Sequence, residues 1–279
     1  MTSCIFVLVK DEQLYLKEFL DYHFNIGINH IFVVEDPKSK SHKDITDQYS
    51  KDKVTLMNAL DVYETEETYQ RALYEIDHFF NMQSRYLKNG LKYLHNHYNY
   101  DWCFIIDVDE YITIDKDNIN DVLEEYKDYD AVVIQWKIFG ANGLIHKPDY
   151  SKKGLIETYT KECQYQRKDD MMWYQKVKTV YNMNHYYYDL YSADHLPKLN
   201  SNWCRTNFTQ DKENIIYDKI YIRHYITKSW EEYVYKIKVR GMFHKNHRDY
   251  KSFFEMNPDM IDKKDMLIYS VDDIIKKYI

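Results

Sequence analysis

Short apolar runs alternate with amphipathic stretches through the first half of the chain. Ile5 to Val9 is continuously apolar and has polar neighbours on both sides, as suits a buried strand. From about Gln13 to Ile26 the apolar positions return at helical spacing, with Leu16, Phe19, Leu20 and His23 on one face. Asp11 stands where it can cap that helix, and Gly27 where it can end it. Ile31 to Val34 reads as a second buried strand closed by Glu35-Asp36-Pro37, and Val54 to Met57 as a third. Glu66 to Tyr98 is mostly helical in pattern, with a break near Asn89-Gly90. Cys103 to Ile106 is a further apolar strand, followed by a helix near Ile119 to Tyr126 and a strand from Ala131 to Trp136.

Strand and helix in this alternation predict an α/β fold with a Rossmann-like, mostly parallel central sheet and flanking helices. The second half is less regular. Lys176 to Tyr181, Tyr186 to Leu190 and Ile215 to Ile226 carry strand patterns. Ser229 followed by Glu232 forms a capping box that opens a helix to Val239, and Asp259 to Ile279 reads as two short amphipathic helices.

Composition narrows the classes. At 279 residues the chain is long enough for one large domain or two small ones, and its six Gly and four Pro mark no linker. A net charge of −7 disfavours a general nucleic-acid binder. The four Cys are widely spaced with no Cys-x-x-Cys, so a reducing, cytoplasmic setting is expected rather than a disulfide scaffold. No run approaches the ~20 apolar residues of a membrane span. Tyr is very abundant at 30 residues, but a general Tyr, Asn, Lys and Ile bias makes this weak evidence of function.

The sharpest chemical signal is Asp101-Trp-Cys-Phe-Ile-Ile-Asp-Val-Asp-Glu-Tyr-Ile112. An apolar strand here delivers Asp107 and Asp109, with Glu110 beside them. Crowded carboxylates at a strand end repel one another and lose hydration. A divalent cation with oxygen ligands relieves both problems, and a solvated turn is the plain alternative. In parallel sheets ligands sit at the carboxyl ends of strands. Lys10-Asp11-Glu12, Glu35-Asp36 and Asp107-Val108-Asp109 all fall at such ends. Asp11 also reads as a helix cap and Asp36 as a turn residue before Pro37.

With those motifs in hand, the chain resembles glycosyltransferase family 92 and related family-2-like glycosyltransferases of the A-type fold. The resemblance runs with gaps from about Ile5 to Gly241. It rests on Val9-Lys10-Asp11-Glu12 with Tyr15 to Glu18 and Asp21 to His23, on Gly27 to Ile31, and on Gln83 with the Trp102 to Ile112 block. Trp136 to Gly143, Lys176-Val177-Lys178, and His224 to Tyr233 with Lys236 and Arg240-Gly241 carry the rest. Asp11 stands where the family usually has Asn, and Ala141 where it has Ser. Between Asp149 and Lys212 the match is poor.

The resemblance implies a catalytic domain over 1–245 with a helical extension, 246–279, packed on it. It implies a metal-dependent glycosyltransferase that moves a sugar from a nucleotide-diphosphate sugar, UDP favoured, to a hydroxyl of a glycan or other acceptor. Mn2+ or Mg2+ is the expected cofactor, held by Asp109 first, with Asp107 and His224. Lys10, Asp11, Glu12, Asp36, Gln83, Asp107, Lys228 and Arg240 are the expected donor contacts, the block from His224 to Gly241 closing over the diphosphate. His224 also reads as a core residue, and Lys228 and Arg240 as helix-face cations paired with Glu231 or Glu232. Asp170, Asp194 and Glu157 are candidate bases with no motif behind them, and Asp169-Asp170 reads equally as a solvated loop. Two rival classes stand beside this one. A two-metal nucleotidyltransferase needs a Gly-rich phosphate loop that the chain lacks. A non-catalytic carbohydrate-binding protein on a transferase fold has no need of the intact acids.

Overall fold

A computed structural model describes residues 1–62, 79–163, 177–185, 202–205, 217–240 and 250–278. The expected strand from Tyr186 to Leu190 and the candidate bases Asp170 and Asp194 lie outside the described residues. The chain divides into two compact units: Met1–Trp136 with Met172–Ile222, and Lys137–Met171 with Arg223–Ile279.

The first unit is built on four parallel strands. β1 (Ser3–Val9) pairs with β2 (His30–Glu35) on one side and β4 (Trp102–Ile105) on the other, and β2 pairs with β3 (Val54–Asn58). The order β3-β2-β1-β4 turns back on itself between β1 and β4, so the carboxyl ends of those two strands flank the topological switch point. β5 (Glu110–Ile114), β6 (Ala131–Ile138), β7 (Val177–Asn182), β8 (Trp203–Arg205) and β9 (Ile220–His224) extend the sheet to the order β3-β2-β1-β4-β7-β6-β9-β5, with β8 beside β6. β7 runs antiparallel to both β4 and β6, whereas β8 is parallel to β6. The expected α/β architecture, a mostly parallel sheet with flanking helices, is the one observed.

The strands are buried on both faces, which is why they read as unbroken apolar runs: Cys4 to Val7 and Ile31 to Val34 are sealed from solvent. α1 (Leu16–Asn25) buries Leu16, Phe19, Leu20 and His23, as the spacing predicts. Its start is later than expected because Asp11 does not cap it. Tyr15 occupies the cap position without a side-chain bond. Gly27 does end it, at φ 98. After α2 (Lys43–Thr46), α3 (Phe79–His97) runs unbroken through Asn89-Gly90, against expectation. Leu87, Leu91 and Leu94 of α3 pack into the same cluster as Phe6, Phe32, Val34 and Ile105. α4 (Ile119–Leu123) is capped by Asn118, whose side chain accepts from the Asn120 N–H at 2.9 Å.

The second unit has its own core. α5 (Leu155–Thr158) and α6 (Trp230–Val234) are joined there by α7 (Tyr250–Met256), α8 (Lys264–Tyr269) and α9 (Val271–Lys276). Trp230, Tyr233, Phe253, Phe254, Met260 and Ile274 form the cluster. The predicted capping box of Ser229 and Glu232 is present, and the helix it opens passes into a π-helical turn, Tyr235–Val239. No helix of the described residues is long and apolar enough to cross a membrane. All four Cys are free thiols.

Candidate active site

The Asp-x-Asp motif is a tight turn between β4 and β5. The Glu110 N–H donates to the Asp107 carbonyl at 3.0 Å, and the Asp107 N–H donates to Glu110 Oε2, also at 3.0 Å. Glu110 therefore fixes the turn from both ends, and it opens a strand that the sequence does not announce. The turn stands at the carboxyl end of β4, beside the switch point.

A lysine completes it. Lys178 on β7 places Nζ 3.0 Å from Asp107 Oδ2 and 3.5 Å from Glu110 Oε2, and 6.0 Å from the centre of the Trp136 ring. The Lys178 side chain is 1% exposed and that of Glu110 0%, while the Asp107 side chain is 39% exposed. Asp109 is buried, at 7%. Burial pushes the Glu110 carboxyl well above the usual range; Lys178 opposes this, and Asp107 and Asp109 add to it. Sequence reasoning placed Lys178 on a matched strand but gave it no role. The signal was there: a lysine inside a fully buried strand requires a carboxylate partner.

The neighbouring strand ends are tied together by backbone-directed bonds. Asp11 has φ 54, in the left-handed region, and its Oδ1 accepts from the Lys40 N–H at 2.9 Å while its own N–H donates to Ser39 Oγ. Asn and Asp are the side chains best suited to that conformation, so Asp11 in place of Asn keeps the loop geometry. Asp36 accepts from the Lys38 N–H at 2.8 Å, the turn role that its position before Pro37 suggests. His42, fully buried, accepts from the Glu12 N–H at Nε2 (3.1 Å), which leaves Nδ1–H to donate to Glu35 Oε1 at 3.0 Å. Sequence reasoning missed this histidine. Of Gln83 only the backbone, within α3, is described.

The remaining candidates belong to the second unit. His224 is buried at the end of β9, where its carbonyl accepts from the Phe139 N–H at 3.0 Å. Lys228 is buried, 5% exposed, with φ 53. Its neighbour Ser229 begins a network in which Glu232 accepts from Ser229 Oγ (2.6 Å), Tyr150 OH (2.6 Å) and Tyr159 OH (2.8 Å). Glu231 accepts from Lys277 Nζ and Tyr278 OH. Arg240 closes the π-helical turn. Glu157 is exposed on α5. Ala141 is fully buried in the apolar cluster, bonded through its N–H to Asn257, so it offers no surface to an acceptor.

Among the described residues no three His, Cys, Asp or Glu side chains converge as a ready-made metal site. The donor chemistry of the turn nonetheless fits a hard cation. Asp107 and Asp109 supply carboxylate oxygens, and the one ammonium of Lys178 offsets only one of those two charges. Mg2+-type ions are commonly held by one or two carboxylates, with substrate phosphates and water filling the shell.

No protein-family model and no curated protein matches the chain. Among solved structures, it is similar to S. aureus TarS 1–349 in complex with UDP-GlcNAc, at 14% identity and a TM-score of 0.44, over 92% of this chain and 64% of that one. Another structure of TarS 1–349 is 13% identical, with a TM-score of 0.40 over 94% of this chain and 72% of that one. The mannosyltransferase Ktr4p from S. cerevisiae is 14% identical, with a TM-score of 0.31 over 51% and 41%.

Proposed function

We propose that this protein is a metal-dependent glycosyltransferase that takes a sugar from a nucleoside-diphosphate sugar and passes it to an acceptor hydroxyl. The observation that carries the reading is the Asp107–Glu110 turn. It sits at the carboxyl end of β4, at the switch point of a parallel sheet, where such folds bind nucleotides. Asp109 and Asp107 are the residues to hold Mn2+ or Mg2+, which when bound stabilises the charge growing on the leaving diphosphate. Glu110 fixes the turn, and Lys178 holds the Asp107 carboxylate. Lys10 to Glu12 flank the crevice from β1, and the Asp11–Lys40 and Glu12–His42 bonds hold that wall in shape. The resemblance favours a UDP-sugar donor and assigns His224, Lys228 and Arg240 to the leaving group. The acceptor base is unassigned.

A panel of nucleotide sugars, assayed for transfer and hydrolysis with Mn2+ and with excess chelator, tests this. Turnover with a nucleoside-diphosphate sugar is expected, abolished by chelator and restored by Mn2+. Asp109→Asn is expected to lose activity far beyond Asp115→Asn, since Asp115 is exposed on the loop after β5. Full turnover in chelator removes the metal from the scheme, and diphosphate release from a nucleoside triphosphate with a sugar phosphate points instead to nucleotidyl transfer.

A further inference from the structure

Lys178 is sealed inside the sheet, yet its ammonium reaches the one carboxylate of the turn that faces solvent. Burying a cation is costly unless it is paired, and the pairs here are unequal. Glu110 is as buried as Lys178 and has its backbone role in the turn. Asp107 is 39% exposed at its side chain and offers one oxygen, Oδ2, to Lys178. We propose that Lys178 is the resident counter-ion of the Asp107–Glu110 turn: it holds Asp107 in place and offsets its charge, so that the free turn binds a divalent cation weakly and acquires one together with the donor's diphosphate. This rests on the glycosyl-transfer reading and specifies how that same site is loaded.

The argument is one of charge and ligand number. Asp107 and Asp109 without Lys178 attract a cation strongly, whereas an ammonium 3.0 Å from Asp107 Oδ2 repels any second cation drawn to that carboxylate. Among the described residues no third His, Cys, Asp or Glu completes a protein ligand set. A diphosphate supplies both the missing oxygens and the missing negative charge. Metal and nucleotide then tighten one another by the same factor, as linkage requires. Lys178 is a positioning residue here, acting through Asp107.

The test is Mn2+ binding by isothermal titration, with no nucleotide and with saturating UDP, on the full chain. For the wild type, UDP is expected to tighten Mn2+ by about tenfold or more, within the usual span of such couplings. Lys178→Met is expected to bind Mn2+ alone at least ~tenfold tighter than the wild type, because a repelling charge is removed, and to show a smaller gain from UDP. Lys178→Arg should stay near the wild type. Losing one partner of a buried pair can unfold the site, so the same ratio is also read between Glu110→Gln and Lys178→Met/Glu110→Gln, where the Glu110 partner is already neutral. Equal or weaker Mn2+ binding on loss of Lys178, in proteins with native near-UV dichroism, overturns the inference while leaving glycosyl transfer standing. A wild type that transfers no sugar and binds no Mn2+ even with UDP overturns both.

Discussion

Gly90, in the middle of α3, lies directly against the ring of Phe6 on β1. A Cβ built on Gly90 falls within 2.6 Å of three carbons of that ring, far inside contact distance. The glycine is therefore a packing device and not a helix break. Gly90→Ala normally gains ~1 kcal/mol in a helix interior, but here overpacking of ~1–3 kcal/mol is expected to win. The urea midpoint should fall, and Phe6→Leu in the same chain should recover part of the loss. A stabilised Gly90→Ala variant overturns this packing account.

The Gly90 case shows where the sequence was legible and where it was not. β1, β2 and β4 were readable because strands buried on both faces carry continuous apolar runs. The capping box at Ser229 was readable because its two residues are three apart. β5 was hidden: Asp107 to Glu110 looks like the polar exit of one strand, and only the paired bonds between Asp107 and Glu110 show that Glu110 starts the next. The role of Lys178 was hidden for another reason. Its partner Asp107 lies 71 positions away, and no local pattern encodes that pairing. Asp11 failed as a cap because the loop at Ser39-Lys40, brought near by β2, satisfies it instead.

Asp11 gives a stability prediction that separates its backbone role from its charge. Asn in its place keeps both the left-handed conformation and an oxygen for the Lys40 N–H. Asp11→Asn should change stability by less than ~0.5 kcal/mol. Asp11→Ala loses the acceptor and the conformational preference together and should cost ~1–2 kcal/mol. Thermal unfolding of the two variants measures the difference, and equal midpoints would show that the Lys40 bond contributes nothing.

His23 sets an acid limit on the first unit. The ring is fully buried; Nδ1–H donates to the Phe19 carbonyl at 2.8 Å, and Nε2 accepts from the Ile112 N–H at 3.3 Å. Both nitrogens are thus engaged by the neutral ring, and protonation breaks the Ile112 bond. Burial lowers the pKa from 6.5 to about 3, with the Phe19 bond opposing. The unfolded chain therefore binds a proton that the folded one refuses, between pH 6.5 and about 3. Stability from this group is complete above pH 6.5 and drains as pH falls through that window. Between pH 7 and 5 the loss should be about 2 kcal/mol. His23→Gln, compared with the wild type at both pH values by urea unfolding, should lose that much less; an identical pH slope would remove His23 as the cause.

Lys228 should separate a backbone effect on stability from a charge effect on turnover. It is a buried lysine held at φ 53, a conformation that costs a side-chain-bearing residue ~1 kcal/mol or more relative to Gly. The turn is held in that shape by its neighbour: the Ser229 N–H donates to Tyr159 OH at 2.9 Å, and Tyr159 in turn donates to Glu232. Lys228→Ala and Lys228→Gly both remove the ammonium and its stem. Their difference isolates the backbone, so the Gly variant should be the more stable by ~1 kcal/mol, the reverse of the helix order. If Lys228 serves the leaving group, both variants should lose turnover by about tenfold or more, the rate equivalent of one charged contact of ~1.5–3 kcal/mol made in the transition state. Calorimetry and steady-state rates on the two variants read these effects separately. An Ala variant as stable as the Gly variant removes the strain, and wild-type turnover in both removes Lys228 from the chemistry. Strain retained without a catalytic return would make the left-handed lysine a feature of folding alone.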